Sequence, residues 1–323
     1  MKSPRYSLIS LFAASVGVGV APAQAAGVTA GTLIQNTASA TYSSGSGTNT
    51  VQSNTVSVKV NQLVDVAVAG LNSSPVTATA TATLSYSVTN SGNGSDTFNL
   101  VADPNDSGNP FVGAIQTIAI DANANGQFDP GIDQVISAGG STPSIAPDSS
   151  LKVLVVVSLP ANATDAQSSQ VKLTATSVIG SGAPGTLFAG KGIGGVDAII
   201  GMSHGIGSAL DSIAASLAAV SLTKSAVITD QFGGTSPVPG AFVTYSIVAS
   251  ISGSGKAMGV HVIDAIPTGT TYQPGTLELN GSALSDAADA DAGVANSSGI
   301  DVALGDIAGG SADKSITFKV KIN

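Results

Sequence analysis

A two-residue alternation governs the last third of this chain. From Ser221 to Asn323, β-branched and aromatic residues recur at every second position in short runs. Examples are Val243-Thr-Tyr-Ser-Ile247 and Ile316-Thr-Phe-Lys-Val-Lys-Ile322. Successive side chains of a strand point to opposite faces, so such a run has one apolar face and one wet face. In the last run, Ile316, Phe318, Val320 and Ile322 are expected inside, with Thr317, Lys319 and Lys321 in water. Turn-forming segments separate the runs: Pro237-Val-Pro-Gly-Ala241, Ser252-Gly-Ser-Gly255 and Asp264-Ala-Ile-Pro267-Thr-Gly-Thr-Thr-Tyr272. Short strands with regular turns and no helical period predict a small antiparallel sandwich.

The same grammar extends upstream. Leu84, Tyr86 and Val88 alternate with Thr83, Ser85 and Ser87. Leu151 to Val157 is apolar on both faces and predicts a central buried strand, and Val171 to Ala175 is expected to close that domain. This places a first sandwich at 63–179 and a second at 221–323. Between them, 180–220 reads as a Gly-rich linker. Leu210, Ile213, Leu217 and Val220 recur at helical spacing there, predicting a short helix around Ser208–Ala219; the alternative is a strand entering the second domain. Residues 26–62 predict a β-hairpin, Gly31–Tyr42 against Val51–Val60, with its turn at Ser43–Thr48. The expected fold class is all-β: two tandem β-sandwich domains, an N-terminal hairpin and a Gly-rich, partly helical linker.

Residues 1–25 read as an export signal. Lys2 and Arg5 precede the apolar run Leu8–Val20, and Ala23-Gln24-Ala25 is a small-residue cleavage site. Cleavage removes two of the eleven basic residues and the only arginine, leaving nine lysines against twenty acidic residues. An acidic chain without arginine lacks the forks that recognise phosphates and guanine edges, so nucleic acid is excluded as a partner. No further membrane span is expected, because Asp197, His204 and Asp211 interrupt the one remaining apolar stretch. With no cysteine, disulfides are absent despite export and thiolate metal sites are excluded. Trp is also absent, which leaves few anchors for a tight interface or for sugar stacking.

The second domain, 221–323, resembles the bacterial conserved-repeat family known as domain of unknown function eleven. The residues that carry the likeness are Leu222-Thr-Lys-Ser, Pro239-Gly-Ala-Phe-Val-Thr-Tyr-Ser-Ile247, Val262-Ile-Asp-Ala-Ile-Pro267, Gly269-Thr-Thr-Tyr272 and Gly309-Gly-Ser. They come in the family's order. Ser250-Ile-Ser-Gly departs from the usual Thr-Asn-Ser-Gly, which the first domain carries as Val88-Thr-Asn-Ser-Gly92. The resemblance implies immunoglobulin-like repeats on an exported surface protein and implies no activity.

The motif with the most chemistry is Asp121-Ala-Asn-Ala-Asn-Gly-Gln-Phe-Asp129. Asp121, Asn123, Asn125 and Asp129 supply oxygens at positions 1, 3, 5 and 9 of an EF-hand-type loop. Gly126 occupies position 6, where the sharp turn falls, and the carbonyl of Gln127 occupies position 7. Position 12 is Ile132 instead of Glu, and Asp133 is expected to supply that carboxylate. Such hard-oxygen spacing suits Ca²⁺, with weak affinity of about 10⁻⁴–10⁻³ M as in extracellular modules. A second acidic cluster, Asp286, Asp289 and Asp291, is expected to be a solvated loop. Catalysis finds little support. His204 and His261 are the only histidines, no nucleophile elbow occurs, and the sole glutamate, Glu278, lies in a strand pattern.

These features predict a non-enzymatic, exported structural or adhesion protein, extracellular or in the cell envelope. Its expected partners are other surface proteins or itself. The alternatives are a filament subunit that exchanges strands through its N-terminal hairpin, and a secreted hydrolase.

Overall fold

The structure, a computed structural model, describes residues 27–44, 47–137 and 140–323. The export signal and the tip of the N-terminal hairpin at 45–46 lie outside the described residues. Strands supply nearly all of the regular structure; the one helical element among the described residues is a 3₁₀ turn, Ile193–Gly195.

The first sandwich faces a five-stranded sheet against a four-stranded one. The five-stranded sheet runs in the order 134–136, 114–120, 150–158, 81–90 and 66–70. Ser150–Ser158 is central, as its two apolar faces require, with Thr81–Asn90 on one side and Ala114–Ile120 on the other. Leu84, Tyr86 and Val88 turn inward and are completely buried. Opposite them, the second sheet runs in the order 76–78, 206–215, 168–177 and 98–103. The Tyr86 hydroxyl crosses the core to donate to the Val171 carbonyl at 2.7 Å, tying the sheets together.

Two expectations need correction here. Ser168–Ser177 does not close the domain; it is internal, flanked by Phe98–Asp103 and Ile206–Ala215. The expected helix at Ser208–Ala219 is instead that flanking strand, so the runner-up strand assignment holds, but in the first sandwich. The helical spacing was coincidental. The inward row of the strand is Gly207, Ala209, Asp211, Ile213 and Ala215, while Leu210 points out and is exposed. A buried acid in the inward row and a leucine in the outward one erased the two-residue signal.

Nor is 180–220 a linker. Leu187–Phe188 and Ala198–Ile200 form a small sheet with Gln62–Val64, the last pair running parallel. Val64, Ala198 and Ile200 make a separate buried cluster, with Ile179 and Phe188 against it. The glycines of this stretch serve packing. A Cβ on Gly180 would lie 2.3 Å from the Phe188 ring, so the close approach needs glycine.

The actual junction between the sandwiches is Ser216–Leu217. The next strand, Ala218–Thr229, starts the second sandwich three residues before the expected boundary. Asp165 of the first sandwich clamps this junction. One of its oxygens accepts from the Leu217 amide at 2.7 Å and the Ser254 hydroxyl at 2.6 Å, and the other from the Ser254 amide at 2.9 Å. These bonds hold the Asp165 carboxyl below its ordinary range, the Ser254 hydroxyl contributing most. Gly255 donates back to the Leu217 carbonyl at 2.9 Å.

The second sandwich sets the sheet 218–229, 242–253, 314–322, 278–279 and 282–283, with 270–272 also on 314–322, against the sheet 256–265, 299–308 and 293–295. Ile316, Phe318 and Val320 are completely buried as the alternation requires, and Ile322 is partly buried.

The N-terminal hairpin forms as expected. Leu33–Asn36 pairs with Val56–Lys59, and Ser39–Ser44 with Gly47–Gln52. Every strand residue whose burial is described is exposed, including Leu33, Ile34, Tyr42, Val51, Val56 and Val58. The ribbon therefore packs neither face on the sandwiches. Its root is fixed by Asn93, whose side-chain amide donates to the Val28 and Asn61 carbonyls and whose side-chain oxygen accepts from the Leu63 amide.

Candidate metal centre

The Asp121–Asp133 loop joins strand Ala114–Ile120 to strand Gln134–Ile136 on one end of the five-stranded sheet. Its first residue is set by the sheet: the Asp121 amide donates to the Lys152 carbonyl at 3.0 Å. The chain then coils through successive Asx turns. The Asn125 amide donates to Asn123 Oδ1 at 3.2 Å, and the Gln127 amide to Asn125 Oδ1 at 2.7 Å. Gly126 takes φ +79° and Ala124 φ +59° to make the bend; glycine enters that left-handed region without steric cost.

The loop gathers most of the expected ligands. Asn123 and Asn125 both donate their side-chain amides to Asp129 Oδ2, at 2.8 and 2.7 Å. Asp133 reaches back across the loop, accepting from the Ala122 amide at 3.0 Å and the Asp129 amide at 2.8 Å. Asp121 Oδ2 accepts from the Gly126 amide at 2.9 Å. The side-chain oxygens of Asn123 and Asn125 each keep a second lone pair beyond the bond they already accept. Gln127 contributes its amide to the turn, and its side chain forms no hydrogen bond among those of the loop.

Two observations bear on what this arrangement can hold. The Asp121 side chain is sealed from solvent, and its Oδ1 has no hydrogen-bond partner. A buried acceptor left unpaired is costly and calls for a donor or a cation. Against that, Lys152 Nζ stands 3.1 Å from Asp121 Oδ2. Burial acts to raise the Asp121 carboxyl; the Gly126 amide, the hydrogen bond and charge of Lys152 and the Ala124 amide outweigh it, and the group lies below its ordinary range. Lys152 therefore already supplies one positive charge where a metal would bind. Among the described residues no group of three or more carboxylate or imidazole side chains converges as a metal cluster. A cation here would rely on amide and carbonyl oxygens beside the carboxylates. Lys152 was not legible as part of the site, because only strand pairing brings it to Asp121.

The other candidates are committed to local structure. Asp286 accepts from the Tyr272 hydroxyl at 2.7 Å and the Gly275 amide at 2.8 Å. Burial first, then Asp286, pushes the Tyr272 hydroxyl up to about 12. Asp289 and Asp291 accept from Ser285 and from the turn's own amides. His204 sits exposed in a tight turn at φ +65°. Ser203 beside it accepts from the Val66 and Gly205 amides. His261 is exposed and lies 3.0 Å from Asp301 on the neighbouring strand.

No protein-family model matches the chain, and no curated protein matches it. Among solved structures, a chain described as BspA_C_WT is 8% identical with a TM-score of 0.33, covering 79% of this chain and 91% of its own. One described as BspA_C_mut is 10% identical with a TM-score of 0.32, covering 80% and 90%. A putative membrane anchored protein from Corynebacterium diphtheriae is 10% identical with a TM-score of 0.22, covering 90% and 89%. Similarity this low carries no argument about function, and none of these comparisons shows the conserved-repeat family.

Proposed function

We propose that this chain is an exported structural protein of the cell surface or extracellular matrix, non-enzymatic, which presents β-sandwich modules for adhesion and is stabilised by calcium. The observation that carries the structural reading is the junction. Two sandwiches meet through two residues, and three hydrogen bonds to Asp165 fix them, as a spacing module requires. The conserved-repeat motifs and the export signal point the same way. Calcium enters through the orphaned Oδ1 of Asp121. It would bind at Asp121, Asn123, Asn125, the Gln127 carbonyl, Asp129 and Asp133. Its role would be to rigidify a loop.

Fractionation tests the localisation: antibody against the second sandwich should label intact cells or the extracellular matrix, and confinement to the cytoplasm would sink the proposal. A melting temperature unchanged by millimolar calcium would remove the calcium part alone.

A second reading rests on the hairpin, whose aliphatic side chains lie open to solvent on both faces. Unpaired ribbons with free edges add to other sheets, so the ribbon would join the sheet of a neighbouring copy to build a filament. Deleting residues 27–59 should abolish assemblies visible by electron microscopy; polymers formed by the truncated chain would refute it.

A further inference from the structure

Away from the loop, Lys224 forms an unusual pair. It lies on the first strand of the second sandwich, in the row Val220, Leu222, Lys224, Ala226, Ile228. That row pairs with the inward residues Ile251, Ala249, Ile247, Tyr245 and Val243 of the next strand. A charge has thus been placed on the core side of a sheet. Its Nζ sits 4.3 Å from the Tyr245 ring centroid and 6.0 Å from that of Phe318. It also stands 2.5 Å from Oδ2 of Asp264, which belongs to the opposite sheet.

Two details set this apart from an ordinary ion pair. A charge-assisted N–H···O bond spans about 2.7–2.9 Å, and this contact is shorter. Asp264 Oδ2 is sealed from solvent and, despite that proximity, makes no hydrogen bond. The nitrogen is pressed on the carboxyl group without hydrogen-bond alignment. In an amide, with C–N about 1.33 Å and C=O about 1.23 Å, nitrogen and oxygen on one carbon lie roughly 2.2–2.3 Å apart. The observed spacing falls between the two arrangements.

We propose that Lys224 and Asp264 condense into an intramolecular isopeptide bond that staples the two sheets of the second sandwich. The ammonium first passes a proton to the carboxylate, leaving a neutral amine and a carboxylic acid. The amine lone pair then forms a bond to Asp264 Cγ. The hydroxyl leaves with a second proton from the nitrogen, so the C–O bond breaks and one water is released. Ammonium plus carboxylate gives amide plus water, and no other reagent is needed. Juxtaposition supplies the drive, since well-oriented groups react with effective molarities of about 10⁵–10⁸ M. The Tyr245 face stabilises the positive nitrogen of the tetrahedral intermediate. The Lys224 side chain is 40% and that of Asp264 16% exposed, which leaves the released water a way out. In a chain without cysteine, such an amide would do the work of a disulfide and would be indifferent to redox conditions.

Intact-mass spectrometry of the denatured full chain tests this. The folded wild-type chain should be lighter than its sequence mass by one water, whereas Lys224→Arg and Asp264→Ala variants should have their full masses. Digestion should release a branched peptide joining the Lys224 and Asp264 segments. Asp264→Asn should condense with loss of ammonia instead. If the variants fail to fold, the branched peptide from the wild type decides alone. A folded wild-type chain that keeps its full mass and yields no branched peptide after prolonged incubation would overturn the proposal, as would a deficit that persists in Asp264→Ala.

Discussion

Replacing Lys152 with methionine separates the two accounts of the Asp121 loop, as a calcium site or as a turn closed by lysine. Calcium sits about 2.3–2.6 Å from its oxygens. An ion on the same oxygen of Asp121 would therefore lie at most about 5.7 Å from an ammonium placed 3.1 Å from that oxygen. At an effective dielectric of about 40, between surface and bulk values, a double charge facing a single one at that distance costs roughly 3 kcal/mol. Lys152 is 31% exposed, so it can swing aside and solvent screens it; less than half of that cost should survive, about 1.4 kcal/mol, or tenfold in affinity. Lys152→Met should therefore tighten calcium binding about tenfold by isothermal titration calorimetry. Without calcium the same variant should be destabilised by about 1–3 kcal/mol, because Asp121 remains buried with the lysine gone. Calcium should thus raise its melting temperature by more than it raises that of the parent. Equal titrations for parent and variant, or binding that survives Asp121→Ala, would refute the reasoning.

Three further outcomes follow from the packing. Tyr86→Phe should cost about 1–3 kcal/mol by removing the buried hydrogen bond to the Val171 carbonyl, which lowers the calorimetric midpoint by roughly 2–10 °C; an unchanged midpoint would mean that the cross-sheet bond contributes nothing. Asp165→Ala should free the junction and speed limited proteolysis near Ser216–Leu217. Because the Asp165 carboxyl is held below its ordinary range in the folded chain, the clamp is fully present above that range and is lost as the pH falls through the depressed folded value; proteolysis of the parent should accelerate in acid and that of Asp165→Ala should not. Gly180→Ala should push the Phe188 ring away and raise amide exchange across 179–205, with exchange in the two main cores unaffected.

Much of the fold was legible because alternation and burial are the same fact in a half-buried strand. Wherever the inward row was apolar throughout, as at Leu84–Val88 or Ile316–Val320, the strand and its orientation followed from the sequence. The pattern failed at Ile206–Ala215, where Asp211 stands among the inward residues and takes its partners from the Asn72 and Ser212 amides. Burial is the largest influence on that carboxyl and raises it above its ordinary range, a cost that a period-based reading counts as evidence for an outward face. The Gly-rich stretch failed for a related reason. Composition cannot distinguish glycine that loosens a chain from glycine that lets an aromatic ring approach, as Gly180 does with Phe188.

The sequence by itself determined the all-β class, the inward faces of strands such as Leu84–Val88 and Ile316–Val320, the N-terminal ribbon and the order of oxygen donors from Asp121 to Asp133. These are local properties, set by a period of two and by spacing within one loop. The tertiary structure alone decided which charges meet. Lys152 reaches Asp121 through strand register, and Asp165 meets Ser254 from 89 positions away. Lys224 faces Asp264 only because two sheets pack face to face. Electrostatic and covalent chemistry depend on distances of a few ångströms, and between remote residues only the packing of the sheets fixes those distances.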